Sequence, residues 1–485
     1  MNYRNQESPL KGIDWPTVII YILLVVAGAV SIYAASYDFD NASIFDYSEY
    51  SGKQLTWIGL SFILGLGLLL IDARMYETYA YPIYVAVMLL LLVTIFIAPN
   101  IKGSHSWIVL GPMSIQPAEF AKFATALALA KLFSGYNFNL NASTGNYMKA
   151  LAIIFLPVGL ILAQNETGSA LVYLGLFFVL YREGMSGLIL MSALLAITIF
   201  VISVKYTETM IVGIPSGQFT VYLIVMVTTV TMLAMYSKVA DVARNVALGF
   251  VGCGLVIWIL ELCGVDVPGK YVLPGMIAAA CLYCLFETLR LRVTKITAAI
   301  GAAIIAVGFM FSVNYVFTSV LKPHQQMRIK VALGIEDDIL KAGYNVNQSK
   351  IAIGSGGFTG KGFLKGTQTK LKYVPEQHTD FIFCTIGEEE GFIGTSLTMM
   401  LFVILILRVI VIAERQPTTF GRVFAYCVAS YFIVHFCINI GMVIGLCPVI
   451  GIPLPFFSYG GSSLWGFTFL LFILLRIDAS RRSHH

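Results

Sequence analysis

Runs of about 20 mainly apolar residues recur along nearly the whole of this chain, and that repetition leaves little choice of fold. A segment of that length crosses the hydrocarbon of a bilayer as a helix, because a helix satisfies its own backbone donors and acceptors where water is absent. The runs fall near 16–36, 54–71, 79–98, 117–134, 148–164, 168–181, 186–204, 218–236, 244–262, 271–288, 296–317, 390–412, 421–443 and 463–477. They predict about fourteen transmembrane helices, the sixth of them short. Of 485 residues, 58% are apolar and 12% charged, with a mean hydropathy of +0.83. No water-soluble surface can be built from that composition, so the predicted class is an all-α polytopic membrane protein whose surroundings are membrane lipid.

The first run follows Arg4 and Lys11 and is too long for the hydrophobic region of a signal peptide, so it reads as a retained first span. With the N-terminus inside, the loops predicted to be inner carry Arg74, Arg182, Lys238, Arg244, Arg290, Arg292, Lys295, Arg408, Arg415 and Arg422. The C-terminal Arg481 and Arg482 fall on the same side. The short outer loops hold little basic charge, and this bias predicts both termini on the cytoplasmic side. The formal net charge of +5 gives nucleic-acid binding no support. Most of the eight cysteines sit inside apolar runs, where a thiol packs as a small hydrophobe. The Cys281 and Cys284 pair lies in a span and predicts no metal or redox centre.

One long polar segment, residues 318–382, interrupts the pattern between the predicted spans 11 and 12 and falls outside by parity. Its lysines and arginines, from Lys322 and Arg328 to Lys370 and Lys372, oppose the usual bias and suit an anionic substrate at the outer surface, although long loops escape that rule. Between Ala342 and Gly366 it is dense in glycine, with Lys361 and Lys365 interspersed. Successive backbone N–H groups in such turns can face a phosphate, and plain turns have the same composition. Upstream, Glu336, Asp337 and Asp338 form an acidic cluster able to supply a general base toward a hydroxyl nucleophile. Downstream, His378 has no second histidine nearby, so no metal site is predicted.

Charged residues inside spans point to the same side. Glu119 and Lys122 are three residues apart in the fourth run, so they share a helix face and can pair. An ion pair within lipid is expensive and is by default functional or directed into the bundle. Glu166 caps the outer end of the fifth run, and Glu388 to Glu390 open the twelfth.

Four stretches carry a resemblance. They are WIVLGPMSIQPAEFAK at 107–122, GYNVNQSKIAIGSGGFTGKGFLKGTQTKL from Gly343, VPEQHTDFIFCTIGEEEGFIG from Val374, and GIPLPFFSYGGSS at 451–463. In this order they resemble the SEDS proteins of bacterial shape, elongation, division and sporulation, the elongation members more than the division members. The likeness covers about 10–204 and 296–480 and implies a core of about ten spans, with about four more helices inserted. The expected organisation is a first core part at 1–204, inserted helices at 205–295, a core span at 296–317, a large extracytoplasmic loop at 318–382 and a C-terminal core part at 383–485.

The resemblance implies a peptidoglycan glycosyltransferase of the bacterial cytoplasmic membrane, active in cell elongation and shape maintenance. Such an enzyme polymerises the lipid-linked disaccharide pentapeptide, lipid II, at the outer face and works with a class B penicillin-binding protein. It implies Asp338 as the catalytic base, with Ile339 here where the family has proline and Asp337 as an alternative. Lys122, Arg328 and Lys361 are the candidates for meeting the pyrophosphate charge, and Glu119 for holding Lys122. Gln116, Glu166, Gln348, His378, Asp380 and Ser458 are expected to bind substrate or support the site. Ala118 and Thr167 depart from the family's wording but leave Glu119 and Glu166 in place, whereas Ser106 stands where arginine is frequent. No cofactor is certain, and a divalent cation at Asp338 stays open. A transporter that flips the same lipid, and a scaffold that only positions a synthase, are the rival readings.

Overall fold

The computed structural model describes residues 12–481 except 38–44, 46, 48, 102, 112, 208, 266, 322–325, 328, 331–332, 334 and 336–342. Among the described residues, twelve helices are long and apolar enough to cross a membrane. The chain divides into two compact units, 1–187 with 339–485, and 188–338.

The first unit begins with α1 (Trp15–Ser36), α2 (Tyr50–Leu70), the short α3 (Ala73–Thr78) and α4 (Ala80–Ile97). A small antiparallel hairpin, β1 (Ile108–Leu110) with β2 (Met113–Ile115), then delivers the chain to α5 (Pro117–Phe133). Proline at the first helical position suits this start, since its missing N–H would have no intrahelical partner there. Next come α6 (Thr144–Ala163), α7 (Thr167–Val172) and α8 (Leu176–Arg182), the last two joined through a 3-10 turn at Tyr173–Gly175. The fourth and sixth runs of the sequence reading are thus α5 and the α7–α8 pair, both helical and both below the length of the twelve.

Helix α5 explains how a run bearing Glu119, Lys122 and Lys131 lies within a membrane protein. It packs against α4 and α6, and against α18 (Thr419–Val443) and α19 (Gly461–Ser480). Ala118, Ala121, Ala124, Ala126, Ala128 and Ala130 are all fully buried, so small side chains bring its neighbours close on every side. Its lipid shield is other helices. Within α19, 83% of the spanning residues are buried, and within α18, 67%. The charged helix therefore sits where the unit is best packed.

The chain returns to this unit through α14 (Tyr344–Gly356), α15 (Thr367–Lys370), α16 (Ile382–Glu389) and α17 (Gly391–Glu414). Residues 343–381 are thus partly helical and packed, not an open solvated loop. A Cβ on Gly356 would stand 1.9 Å from the Gly387 carbonyl oxygen, so α14 meets α16 backbone to backbone. Gly360, at φ +78°, sits against the Glu389 carbonyl in the same way. The amides of Lys361 and Gly362 donate to the carbonyls of Glu388 and Glu389. Part of the glycine density therefore serves helix packing, and these two amides are spent on the end of α16.

At the far end of α17 the carboxylates of Asp14 and Asp478 are tied by arginines. Arg408 donates to both oxygens of Asp14, at 2.6 and 3.0 Å. Arg415 bridges Asp14 and Asp478, and Gln416 and Arg481 each reach Asp478 Oδ1 at 2.9 Å. Asp14 also caps α1 by accepting from the Thr17 amide and hydroxyl.

The second unit holds α9 (Gly187–Lys205), α10 (Ser216–Thr231), α11 (Ala240–Leu262), α12 (Gly269–Leu291) and α13 (Ile296–Tyr315). A two-residue hairpin, β3 (Met210–Ile211) with β4 (Ile214–Pro215), precedes α10. Its core is split between a cluster around Ile199, Val221, Tyr222 and Met310 and another around Leu233, Val246 and Ile296. The unit takes in α9 and α13, which the sequence alone assigned to the flanking core. Only 6% of the α11 span is buried, which leaves its apolar surface for lipid.

Candidate functional site

Among the described residues, the first unit contains a fully enclosed acid–base cluster. Lys122 Nζ donates to Glu119 Oε2 at 2.8 Å, and their side chains are 1% and 2% exposed. The i,i+3 spacing on α5 dictates this pair, as read from sequence. A third member comes from α18. His435, also buried, places Nε2 3.0 Å from Lys122 Nζ and Nδ1 3.0 Å from the Pro453 carbonyl oxygen. The face of the Phe467 ring lies 4.6 Å below the ammonium. Helix α19 fits beside α5 because residue 466 is glycine, where a Cβ would stand 2.9 Å from the Glu119 carbonyl oxygen.

The cluster touches the connection between α18 and α19, where the GIPLPFFSYGGSS stretch lies. One turn beyond His435, Asn439 donates to the carbonyls of Ile452, at 2.6 Å, and Asp380, at 2.8 Å. Ser458 Oγ accepts from the Leu454 amide at 2.9 Å and so closes the turn that follows. The Tyr459 amide donates to the His378 carbonyl, and the His378 ring stacks on Tyr50 with centroids 4.0 Å apart. Lys122, Asp380, His378 and Ser458, far apart in the chain, are thereby linked through one connection.

Glu166 lies beside the same connection, since a Cβ on Gly168 would stand 2.9 Å from the Ile450 carbonyl. It accepts from Ser104 and Ser106 at 3.0 and 3.1 Å, so Ser106 serves the carboxylate as a hydroxyl donor. Gln116 is the buried residue immediately before α5, and Gln348 is half-buried on α14.

Lys361 is engaged elsewhere. Its ammonium donates to Glu388 at 2.7 Å and to Thr367 at 2.8 Å. Glu388 also accepts from the amides of Thr367, Gln368 and Thr369 and from the Thr369 hydroxyl. Burial alone would raise its carboxyl, but Lys361 and the amides of Gln368 and Thr369 outweigh that and hold it at about 2. The neighbouring Glu389 is held above the ordinary carboxylate range by burial. Gln377 extends the latch by donating to the carbonyls of Thr369 and Ala35.

Asp338 and Arg328, and with them Asp337, lie outside the described residues. Among the described residues there is no group of three or more His, Cys, Asp or Glu able to hold a metal ion. The functional candidate that sequence reasoning missed is His435. A lone imidazole in an apolar run, with Asn439 four residues on, was the available signal, because both must face the bundle interior.

The chain matches the FtsW/RodA/SpoVE family, described as a cell cycle protein, over residues 15–212 and 215–483. It is 30% identical over 470 residues to the Treponema pallidum peptidoglycan glycosyltransferase RodA, covering 97% of this chain and 98% of that one. It is 29% identical over 466 residues to the Escherichia coli K12 peptidoglycan glycosyltransferase MrdB, at 94% and 93% coverage. Among solved structures it resembles a chain of a peptidoglycan synthase complex that coordinates polymerization and crosslinking, with a TM-score of 0.60 at 24% identity and coverage of 97% and 98%. It also resembles the Thermus thermophilus rod shape determining protein RodA, with a TM-score of 0.54 at 22% identity and coverage of 97% of both chains.

Proposed function

Since this chain belongs to the FtsW/RodA/SpoVE family of cell cycle proteins, we propose that it is a peptidoglycan glycosyltransferase acting in cell elongation. The donor and acceptor are lipid II and the growing glycan strand, at the outer face of the cytoplasmic membrane. Both termini lie in the cytoplasm, and α5 and the α7–α8 pair complete about fourteen spans. The partner is a class B penicillin-binding protein, a reading supported by the likeness to a chain of a peptidoglycan synthase complex.

In this reading the acceptor's 4-hydroxyl attacks the anomeric carbon of the donor, and the bond to the undecaprenyl pyrophosphate breaks with inversion. Asp338 takes the hydroxyl proton, an assignment that rests on the resemblance of its segment. The leaving pyrophosphate gathers charge as its bond breaks, and a cation already fixed in a dry site stabilises that charge without reorganising. Lys122 fits this part. Lys361, whose ammonium is held by Glu388, fits the anchoring of residues 357–370 instead.

The observation that carries the proposal is the enclosed Glu119–Lys122 pair at the start of α5, linked through His435 to the connection bearing the GIPLPFFSYGGSS stretch. A charge enclosed there is by default a functional candidate. The test is polymerisation of lipid II by the purified protein with its partner. Wild type should build glycan strands and Asp338→Asn should not. Normal strand growth by Asp338→Asn would remove Asp338 as the base, and no polymer from wild type would overturn the transferase reading.

A further inference from the structure

The hydrogen bonds around His435 fix its state. An ammonium can only donate, so Nε2, 3.0 Å from Lys122 Nζ, must accept. The proton then sits on Nδ1, where the Pro453 carbonyl, 3.0 Å away, is an acceptor. His435 is therefore a neutral imidazole with one tautomer, locked at both nitrogens. Its ring edge also meets Phe467 with centroids 4.8 Å apart and planes at 87°, so it cannot rotate without leaving both partners.

Lysine is a flexible stem carrying a point charge, and one carboxylate oxygen does not fix where that charge points. A second acceptor from another helix does. Glu119 and Lys122 move together on α5, whereas His435 stands on α18 and is itself held by the α18–α19 connection. The ammonium is thus referenced to three elements of the unit.

On the transferase reading above, we propose that His435 is a positioning residue of the glycosyl-transfer site, fixing the Lys122 ammonium from α18 and registering it to the backbone at Pro453. His435 makes no bond to substrate and exchanges no proton during turnover. Its action is geometric, and its loss misplaces a charge that must be in place as the pyrophosphate leaves.

Two substitutions separate this role from simple packing. His435→Gln keeps an acceptor at the ε position, within reach of Lys122, and an amide N–H beside it. His435→Asn ends one bond shorter, so it retains a donor toward Pro453 and loses the contact to Lys122. The full-length protein, with its partner and in detergent, is assayed for lipid II polymerisation, and each variant's melting temperature is measured in parallel. His435→Asn is expected to lower kcat on the order of 10- to 100-fold with KM little changed and near wild-type melting. His435→Gln is expected to recover most of the rate. Full activity of His435→Asn, equal activity of the two variants, or losses that only track melting temperature would each overturn the proposal. Inactive wild type would instead overturn the transferase reading, so the two failures are distinct.

Discussion

Two of the places where the first unit buries charged groups are built on different plans. Around Asp14 and Asp478, Arg408, Arg415 and Arg481 surround two carboxylates, and Arg408 holds Asp14 with both arms of its fork. Planar forks of this kind fill carboxylate lone pairs in a fixed geometry. Around Glu119 there is a single compact ammonium, shared with a neutral imidazole and an aromatic face. The saturated network binds the ends of α1, α17 and α19 to one another. The sparse one surrounds its charge with one carboxylate oxygen, one imidazole nitrogen and one ring face. Both cost desolvation, and on the proposed function the difference in plan separates a structural junction from the site of transfer.

Substitutions on the two sides should break this comparison in opposite ways. The largest effect is expected from Lys122→Met, which should reduce polymerisation per folded molecule on the order of 100-fold, as measured by strand length and rate. Asp478→Asn should do the reverse. It leaves Arg415 and Arg481 short of their partner and should cost about 3 kcal/mol in denaturant unfolding, with activity per folded molecule unchanged.

The Glu388 latch adds a pH dependence. Its carboxyl titrates at about 2 in the folded protein against 4.5 ordinarily, so its stabilisation is complete above about 4.5 and is lost as pH falls toward about 2. Melting temperatures taken across that window should fall, and Glu388→Gln should flatten the slope. The smallest effect belongs to Arg182→Ala. Its pair with Glu414 is exposed on both sides, and unfolding should be unchanged within error.

What the sequence alone could show follows from the range of the interactions. Apolar runs are local, so every predicted run lies on a helix. Glu119 and Lys122 are one turn apart, so their pairing was readable from spacing. His435 bonds to a residue 313 positions away, and Asp14 to one 394 away, and no local pattern announces such partners. Residues 343–381 were read as part of one polar loop at 318–382 because the reason for their order is remote as well. The glycines at 356 and 360 are explained by the backbone of α16, and the buried Gln377 by carbonyls at Thr369 and Ala35.

The contrast between the two charge clusters can be tested in one experiment. Wild type, Asp478→Asn and Lys122→Met, each with its partner synthase, are given lipid II at equal folded concentration, and the initial rate of strand growth is measured. Equal rates for wild type and Asp478→Asn, with Lys122→Met slower on the order of 100-fold, are predicted. A Lys122→Met rate equal to wild type would contradict the assignment of the enclosed ammonium to the reaction.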